Sequence, residues 1–272
     1  MNFGLRLRVF LAILVGLMVI GTLGFMITEG LTFTDSLYFS IVTVATVGYG
    51  DISPVTAGGK ILSIFLIVTG VGTFLGVVAN ATELILSKEE HKMRMEKLNM
   101  VIGSFYSEAG TELLRFFVEH DRSVDKIRNA LVITSAWTKD QFAAAGQHVK
   151  DHEFLTEIEK IDLQNLRTVL QEKGGFFLRL LENPSIFDHE TFTDLLRAFL
   201  HLKEELHYRD DLSALPETDL GHLSGDLNRA YRLLVIQWVD HMKYLKDHYP
   251  YLFSLAARTN PFDRTSSVII TE

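Results

Sequence analysis

Two stretches of the chain carry no charge at all. Val9 to Thr28 runs for 20 residues between Arg8 and Glu29, and Ile61 to Thr82 for 22 residues between Lys60 and Glu83. At about 1.5 Å per residue each reaches roughly 30 Å as a helix, the thickness of a bilayer's hydrocarbon core. Arg6 and Arg8 ahead of an apolar run would also suit a secretory signal, but the run is too long and no small-residue cleavage site precedes Glu29. A buried soluble helix fails on length and on the second run repeating the first. Both stretches are predicted to span a membrane.

The connection between them, from Glu29 to Lys60, is too apolar in its middle to be a solvated loop. Thr34 or Asp35 suits a helix N-cap, and Leu37, Tyr38, Phe39, Ile41, Val42 and Val44 follow. That predicts about three turns, enough to enter a membrane and too short to cross it. The helix runs into Thr46-Val47-Gly48-Tyr49-Gly50-Asp51, and Pro54 and Gly58-Gly59 lead back to the second span. Extended backbone at membrane depth must line a cavity or be buried in protein. Gly48 and Gly50 permit left-handed angles at alternate positions, which can turn successive carbonyls to one side. Four copies around an axis would stack those carbonyls in rings that replace the hydration shell of a cation, with the Thr46 hydroxyl closing the inner end.

At these residues the chain resembles the two-transmembrane prokaryotic potassium channels, whose signature Thr-Val-Gly-Tyr-Gly stands intact at Thr46–Gly50. The match rests on recognition of that motif in its place between a short helix and two spans. It covers about residues 10–86. The resemblance implies that potassium, the permeant ion and the only cofactor-like species expected, is held at Thr46, Val47, Gly48 and Tyr49. It implies filter support from Tyr38, Phe39 and Asp51, a gating hinge at Gly70, and a cavity lined by Val71, Phe74, Val78 and Thr82. At Gly72 and Gly76 close helix packing is the preferred reading. Val42 stands where some relatives carry a buried acid, so an acid pair with Asp51 is missing. Arginine ladders are absent from the apolar helices, which argues against intrinsic voltage sensing.

The second span is expected to continue as an amphipathic helix through Leu84, His91, Met95, Leu98, Ile102 and Phe105, serving either as a four-fold stem or packed onto its own subunit. Beyond it the pattern is helical throughout. Helices are predicted at about 107–119, 123–136, 138–150 and 154–172, with breaks at Gly174-Gly175 and Asn183-Pro184. Asp188 is the expected cap of a helix burying Phe192, Leu195, Leu196, Phe199, Leu202 and Leu206. Pro216 fits the first turn of a long helix with Leu220, Leu223, Leu227, Tyr231, Leu234, Trp238 and Met242 on one face. Tyr249-Pro250 ends it, Tyr251–Thr259 adds a short helix, and Pro261 stops the pattern. The predicted fold class is all-α, with a membrane pore module at 1–87 and a helical cytosolic regulatory domain at 88–272. A Rossmann-type regulator would need a strand–GxGxxG–helix unit, which is missing, and an inward-rectifier β-sandwich is contradicted. The regulator itself is unrecognised at this level.

Charge agrees with that division. The whole chain carries 26 Lys+Arg against 34 Asp+Glu, and a mean hydropathy of +0.18. Only three basic and four acidic residues fall in 1–87, leaving 23 and 30 for the remainder, a net charge of −7. Such an acidic chain is a poor nucleic-acid ligand. The absence of cysteine removes disulfide, thiolate-metal and cysteine-nucleophile chemistry. Basic residues flank both ends of the spans, so both termini are expected in the cytoplasm, with a multi-pass placement in the cell (inner) membrane. His148-x-x-x-His152 has metal-ligand spacing, but a solvated polar face is the preferred reading, as it is for Glu204, Glu205, Asp210 and Asp211. Ten histidines offer no cluster that singles out a pH sensor. No nucleophile–base constellation is found, and an enzyme is not expected. The leading function is a homotetrameric, potassium-selective channel in a lipid bilayer, gated by its helical domain in response to an unidentified cytosolic ligand. The alternative is a membrane-anchored receptor or enzyme whose helical domain does the work.

Overall fold

A computed structural model describes residues 3–186 and 189–269. It is helical, and among the described residues the only β pairing is an isolated antiparallel bridge between Asp121 and Thr156. The chain divides into two compact units, the first ending at Met93 and the second beginning at Arg94.

The first unit holds α1 (Phe3–Glu29), α2 (Phe33–Val44) and most of α3, which runs from Ala57 to Phe105 without a break. α1 and α3 are long and apolar enough to cross a membrane, yet only 22% of the most apolar stretch of each is buried within the chain. A soluble core helix would be covered on most sides. These helices keep Ile27, Ile61 and Val68 exposed, as lipid surroundings would favour. Their own core is small: Leu17, Phe25, Val44 and Leu66, with Phe39, Leu62 and Phe74 packed around it. α2 begins two residues earlier than a cap at Thr34 would allow, and three earlier than one at Asp35. Thr32 is the cap: its hydroxyl oxygen accepts from the Asp35 N–H at 3.2 Å and its proton goes to Asp35 Oδ2 at 2.7 Å. The Asp35 carboxylate, in the first turn, thus holds the capping hydroxyl in place and is itself favoured by the helix dipole.

The second unit packs α4 (Thr111–His120), α5 (Asp125–Arg128), α6 (Lys139–Asp151), α7 (Leu163–Leu181), α8 (Glu190–His207), α9 (Glu217–His248) and α10 (Pro250–Arg258) around the end of α3. Leu98, Ile102 and Phe105 of α3 lie in this core, so the amphipathic continuation packs within the subunit, while His91 is exposed. Phe105 sits edge-on to Phe192 (5.4 Å), Phe177 stacks on Phe199 (5.7 Å), and Phe117 on Tyr231 (5.1 Å). α9 runs through the middle and buries Leu223, Leu227, Tyr231, Leu234, Trp238 and Met242. Between α3 and α4 one π turn, Tyr106–Gly110, lets Phe105 and Tyr106 both point inward. Gly110 makes room for it, since a Cβ there would fall 2.6 Å from the Phe105 ring and 2.7 Å from that of Tyr106.

Several expected boundaries differ. The helix predicted at 123–136 is only Asp125–Arg128. Asp121 Oδ1 accepts from the Ser123 N–H and hydroxyl (2.8 and 2.6 Å) and turns the chain, and the buried Asn260 amide donates to the Leu131 carbonyl at 2.8 Å. Side-chain partners thus replace helical ones there. The helix expected at 154–172 begins at Leu163, because Asp162 caps the Asn165 N–H (2.9 Å), and a 3₁₀ turn at Ile158–Lys160 precedes it. It then passes straight through Gly174-Gly175 to Leu181. Gly174 is a packing position, not a break: a Cβ there would stand 2.8 Å from the Lys203 side chain of α8. The expected cap Asp188 lies outside the described residues; the His189 ring caps α8 by accepting from the Phe192 N–H at 3.2 Å.

Candidate functional site

The segment after α2 is shaped by where its N–H groups go. Ala45 N–H donates to the Ile41 carbonyl (2.8 Å) and Thr46 N–H to that of Thr43 (3.2 Å). The Val42 carbonyl then accepts from both Val47 (3.0 Å) and Gly48 (3.4 Å), hanging the start of the extended segment from the last turn of α2. Three alternate residues adopt positive φ: Thr46 at 61°, Gly48 at 56° and Gly50 at 79°. Glycine takes this conformation freely, while for Thr46 it costs on the order of 1–2 kcal/mol. The strain at a non-glycine residue marks a backbone held for a purpose other than stability. Thr46, Val47, Gly48, Tyr49 and Gly50 are all exposed in the single chain, Tyr49 at 72%.

The supports divide. The Tyr38 hydroxyl donates to Asp51 Oδ2 at 2.8 Å, tying α2 to the far end of the segment. Phe39 is turned inward instead, edge-on to Phe25 at 4.8 Å, within the core of the unit. Val42 is buried and contributes its carbonyl. An anchor that sequence reasoning passed over is Glu29. Its carboxylate accepts from the backbone N–H of Val55 and Thr56 (both 3.1 Å) and from the Thr56 hydroxyl (2.7 Å). A lone acid ending an uncharged run was the available signal, and a carboxylate at the N-terminus of α3 is well placed against the helix dipole.

Along α3 the expected hinge Gly70 faces Val44, the last residue of α2. A Cβ on Gly70 would lie 2.6 Å from Val44 Cγ2, so the glycine is required for this approach. Gly76, where close helix packing was expected, meets the Phe10 ring in the same way, and among the described residues of this chain nothing lies within 4 Å of a Cβ on Gly72. Of the expected cavity-lining set, Val71 is half-buried, Phe74 packs against the core of the unit, Val78 is exposed, and the exposed Thr82 donates its hydroxyl to the Val78 carbonyl at 3.0 Å.

In the second unit a cavity of about 610 Å³ lies between the end of α3, α9 and α10, with Asn99, Gly103, Tyr106, Trp238 and His241 in its wall. His241 is buried, stacked on Tyr106 at 4.9 Å, and burial pushes its titration down to about 4. It is therefore neutral at physiological pH. The Tyr106 hydroxyl donates to the Leu234 carbonyl at 2.8 Å, joining α3's continuation to α9. The histidine pair singled out by spacing does not form a site. α6 ends at Asp151, so His152 leaves the helix and its Nε2 lies 3.1 Å from the Ser123 hydroxyl, while His148 stays exposed with Nδ1 at the Ala144 carbonyl. Glu205 is not simply solvated either. Arg209 donates to it at 2.7 Å and grips Asp219 through two further bonds of 2.7 Å, which holds both carboxylates below their usual range.

Two family models match the chain. Residues 12–87 match one described as an ion channel, and residues 94–258 match the C-terminal helical domain of the uncharacterised protein MJ1433. The chain is 46% identical over 193 residues to MJ1433 of Methanocaldococcus jannaschii, covering 71% of this chain and 77% of that protein. It is also 34% identical over 104 residues to the calcium-activated potassium channel slo-1 of Caenorhabditis elegans, and 35% identical over 85 residues to the voltage-gated potassium channel of Aeropyrum pernix. These two matches cover 36% and 30% of this chain, and only 9% and 29% of those proteins.

Proposed function

The chain belongs to the family of the uncharacterised protein MJ1433, and from that premise we propose that it is a homotetrameric potassium-selective channel whose helical domain controls the opening of α3. The observation that carries this reading is the alternation of positive φ at Thr46, Gly48 and Gly50 within an intact Thr-Val-Gly-Tyr-Gly segment suspended from α2. Alternating handedness turns successive carbonyls one way, and four such segments around an axis give stacked oxygen rings at Thr46, Val47, Gly48 and Tyr49 for dehydrated potassium. A single chain supplies one quarter of a ring, so the tetramer follows from the chemistry. Exposure of Val47, Tyr49 and the apolar faces of α1 and α3 supports burial against copies and lipid. The orientation has both termini in the cytoplasm, the chain crossing the cell (inner) membrane twice. Val71, Val78 and Thr82 face the cavity below the filter, and Gly70 lets α3 move against Val44.

Control by the helical domain is favoured by the continuity of α3. Its helical hydrogen bonding runs from Ala57 to Phe105, and its last turns are built into the core of the second unit. A stiff connection transmits displacement where a flexible one dissipates it. Truncation after Lys92 and insertion of a Gly-Ser segment after Ser87 test this in single-channel recordings of purified protein. Both should conduct selectively, with the open-to-closed ratio shifted by roughly 5- to 150-fold, the usual span of a coupling free energy. Gating identical to the intact channel in both variants would make the domain a scaffold.

A further inference from the structure

Four side chains outside the ion-channel unit converge between α8 and α9. His201 and Glu205 stand one turn apart on α8, and His222 and Asp226 one turn apart on α9, so each helix offers an imidazole and a carboxylate on one face. His201 Nε2 lies 3.3 Å from Asp226 Oδ2, and His222 Nε2 lies 3.5 Å from the same oxygen. One donor atom from each of these three residues falls within 4.8 Å of the other two. Glu205 adds Oε1 at 3.7 Å from His201 Nε2 and Oε2 at 3.6 Å from His222 Nε2.

We propose that His201, His222 and Asp226 bind a divalent transition-metal ion of the zinc type, clamping α8 to α9, with Glu205 or a water as fourth ligand. The spacing fits that ion. Zinc holds nitrogen and oxygen ligands at about 2.0–2.1 Å, and a tetrahedron of that size separates its corners by about 3.3 Å. The donor set excludes the alternatives: imidazole favours zinc and its transition-metal neighbours, whereas calcium and magnesium take oxygen ligands. A second observation points the same way. Asp226 is 7% exposed, and its Oδ1 accepts from Arg229 Nη2 at 2.6 Å, while its buried Oδ2, the oxygen facing both histidines, has no hydrogen-bond donor among the described residues. A buried acceptor without a donor is costly, and a bound cation removes that cost. Arg229 on Oδ1 fixes the carboxylate as an outer partner of a metal site does. Both imidazoles are about half exposed, and His201 also borders a cavity of about 850 Å³, so an ion has a route in.

The experiment uses the full-length protein in detergent, stripped with a chelator and dialysed against zinc. One tightly bound zinc per chain is expected, with a rise in the thermal midpoint read by tryptophan fluorescence, and cobalt in its place should give the visible absorption of a tetrahedral site. His201→Gln and His222→Gln should each weaken binding by at least about tenfold and abolish the zinc-induced rise. His148→Gln should bind as the wild type does, and Asp226→Asn, which keeps the shape of the side chain, should lose the ion even if a histidine variant proves unstable. Calcium and magnesium should not compete. Failure of zinc to bind, or binding indifferent to His201, His222 and Asp226, would overturn the proposal and leave two histidines that merely ion-pair with Asp226 when protonated. The readouts are independent of ion conduction, so a failure here leaves the channel reading standing.

Discussion

The ion-channel unit collects its interior around Leu17, Phe25, Val44 and Leu66 and leaves Ile27, Ile61, Ile64 and Val68 exposed; the helical unit buries Phe105, Phe117, Phe177, Phe192, Phe199 and Tyr231 completely or nearly so. One leaves broad apolar faces uncovered within the chain, and the other completes its own core. The difference teaches where perturbations should register. In the first unit the exposed segment Thr46–Gly50, proposed above as the conducting element, holds Thr46 at positive φ at some cost in local backbone energy. In the second, the side chains carry stability. Both tryptophans, Trp137 and Trp238, belong to the second unit, so fluorescence melting reads it separately from current through the first.

The sharpest break between the units should come from Gly48→Ala. Among the described residues of its own chain nothing lies within 4 Å of the added methyl, so within each chain the effect is the positive φ, on the order of 1–2 kcal/mol. Repeated in four chains, it should lower potassium current at least about tenfold with no shift in the tryptophan melting curve. A wild-type current would mean that the backbone alternation is not the conducting element.

Phe199→Ala should do the reverse. The ring is fully buried against Phe177 and Phe105, and its truncation should cost about 3–5 kcal/mol of unfolding free energy in the helical unit. The ion preference of channels that still conduct should be unchanged. A loss below about 1 kcal/mol would show a looser core than the ring contacts describe.

Much of this organisation was legible from residue spacing. The two spans, the short helix between them and the buried faces of α8 and α9 follow from runs of uncharged residues and from 3.6-residue periodicity. What spacing could not reveal depended on partners distant in sequence. Gly174 reads as a helix break until Lys203 of α8 is seen against it, and Leu131 and Ile133 read as helical until Asn260 takes the Leu131 carbonyl. Thr32 was legible and passed over: Thr-x-x-Asp opens a helix as surely as the later Thr-x-x-Gln at Thr138. At Thr46–Gly50, the glycines announced left-handed backbone, but positive φ at Thr46 could not be read from a β-branched residue that ordinarily avoids it. The cluster of His201, His222 and Asp226 lies across two helices, so no local pattern contains it.

A smaller effect separates the units by pH. Burial holds His241 down to about 4 against an ordinary 6.5, so the folded helical unit binds this proton less readily than the unfolded chain does. Its stabilising share is complete above about pH 6.5 and is lost as pH falls toward 4, amounting to about 3 kcal/mol across that window. Tryptophan melting of the wild type should therefore weaken between pH 6.5 and 4, and His241→Phe should flatten that slope. An identical slope in the variant would place the acid sensitivity elsewhere.

The central claim is that Thr46–Gly50, repeated four times, forms a potassium-selective path. Its most direct test is the reversal potential of the purified full-length protein in a planar bilayer, with potassium on one side and sodium on the other. The account predicts a reversal potential displaced strongly toward the potassium equilibrium value, and a Tyr49→Asp variant displaced less. A reversal potential near zero in the intact protein would contradict it.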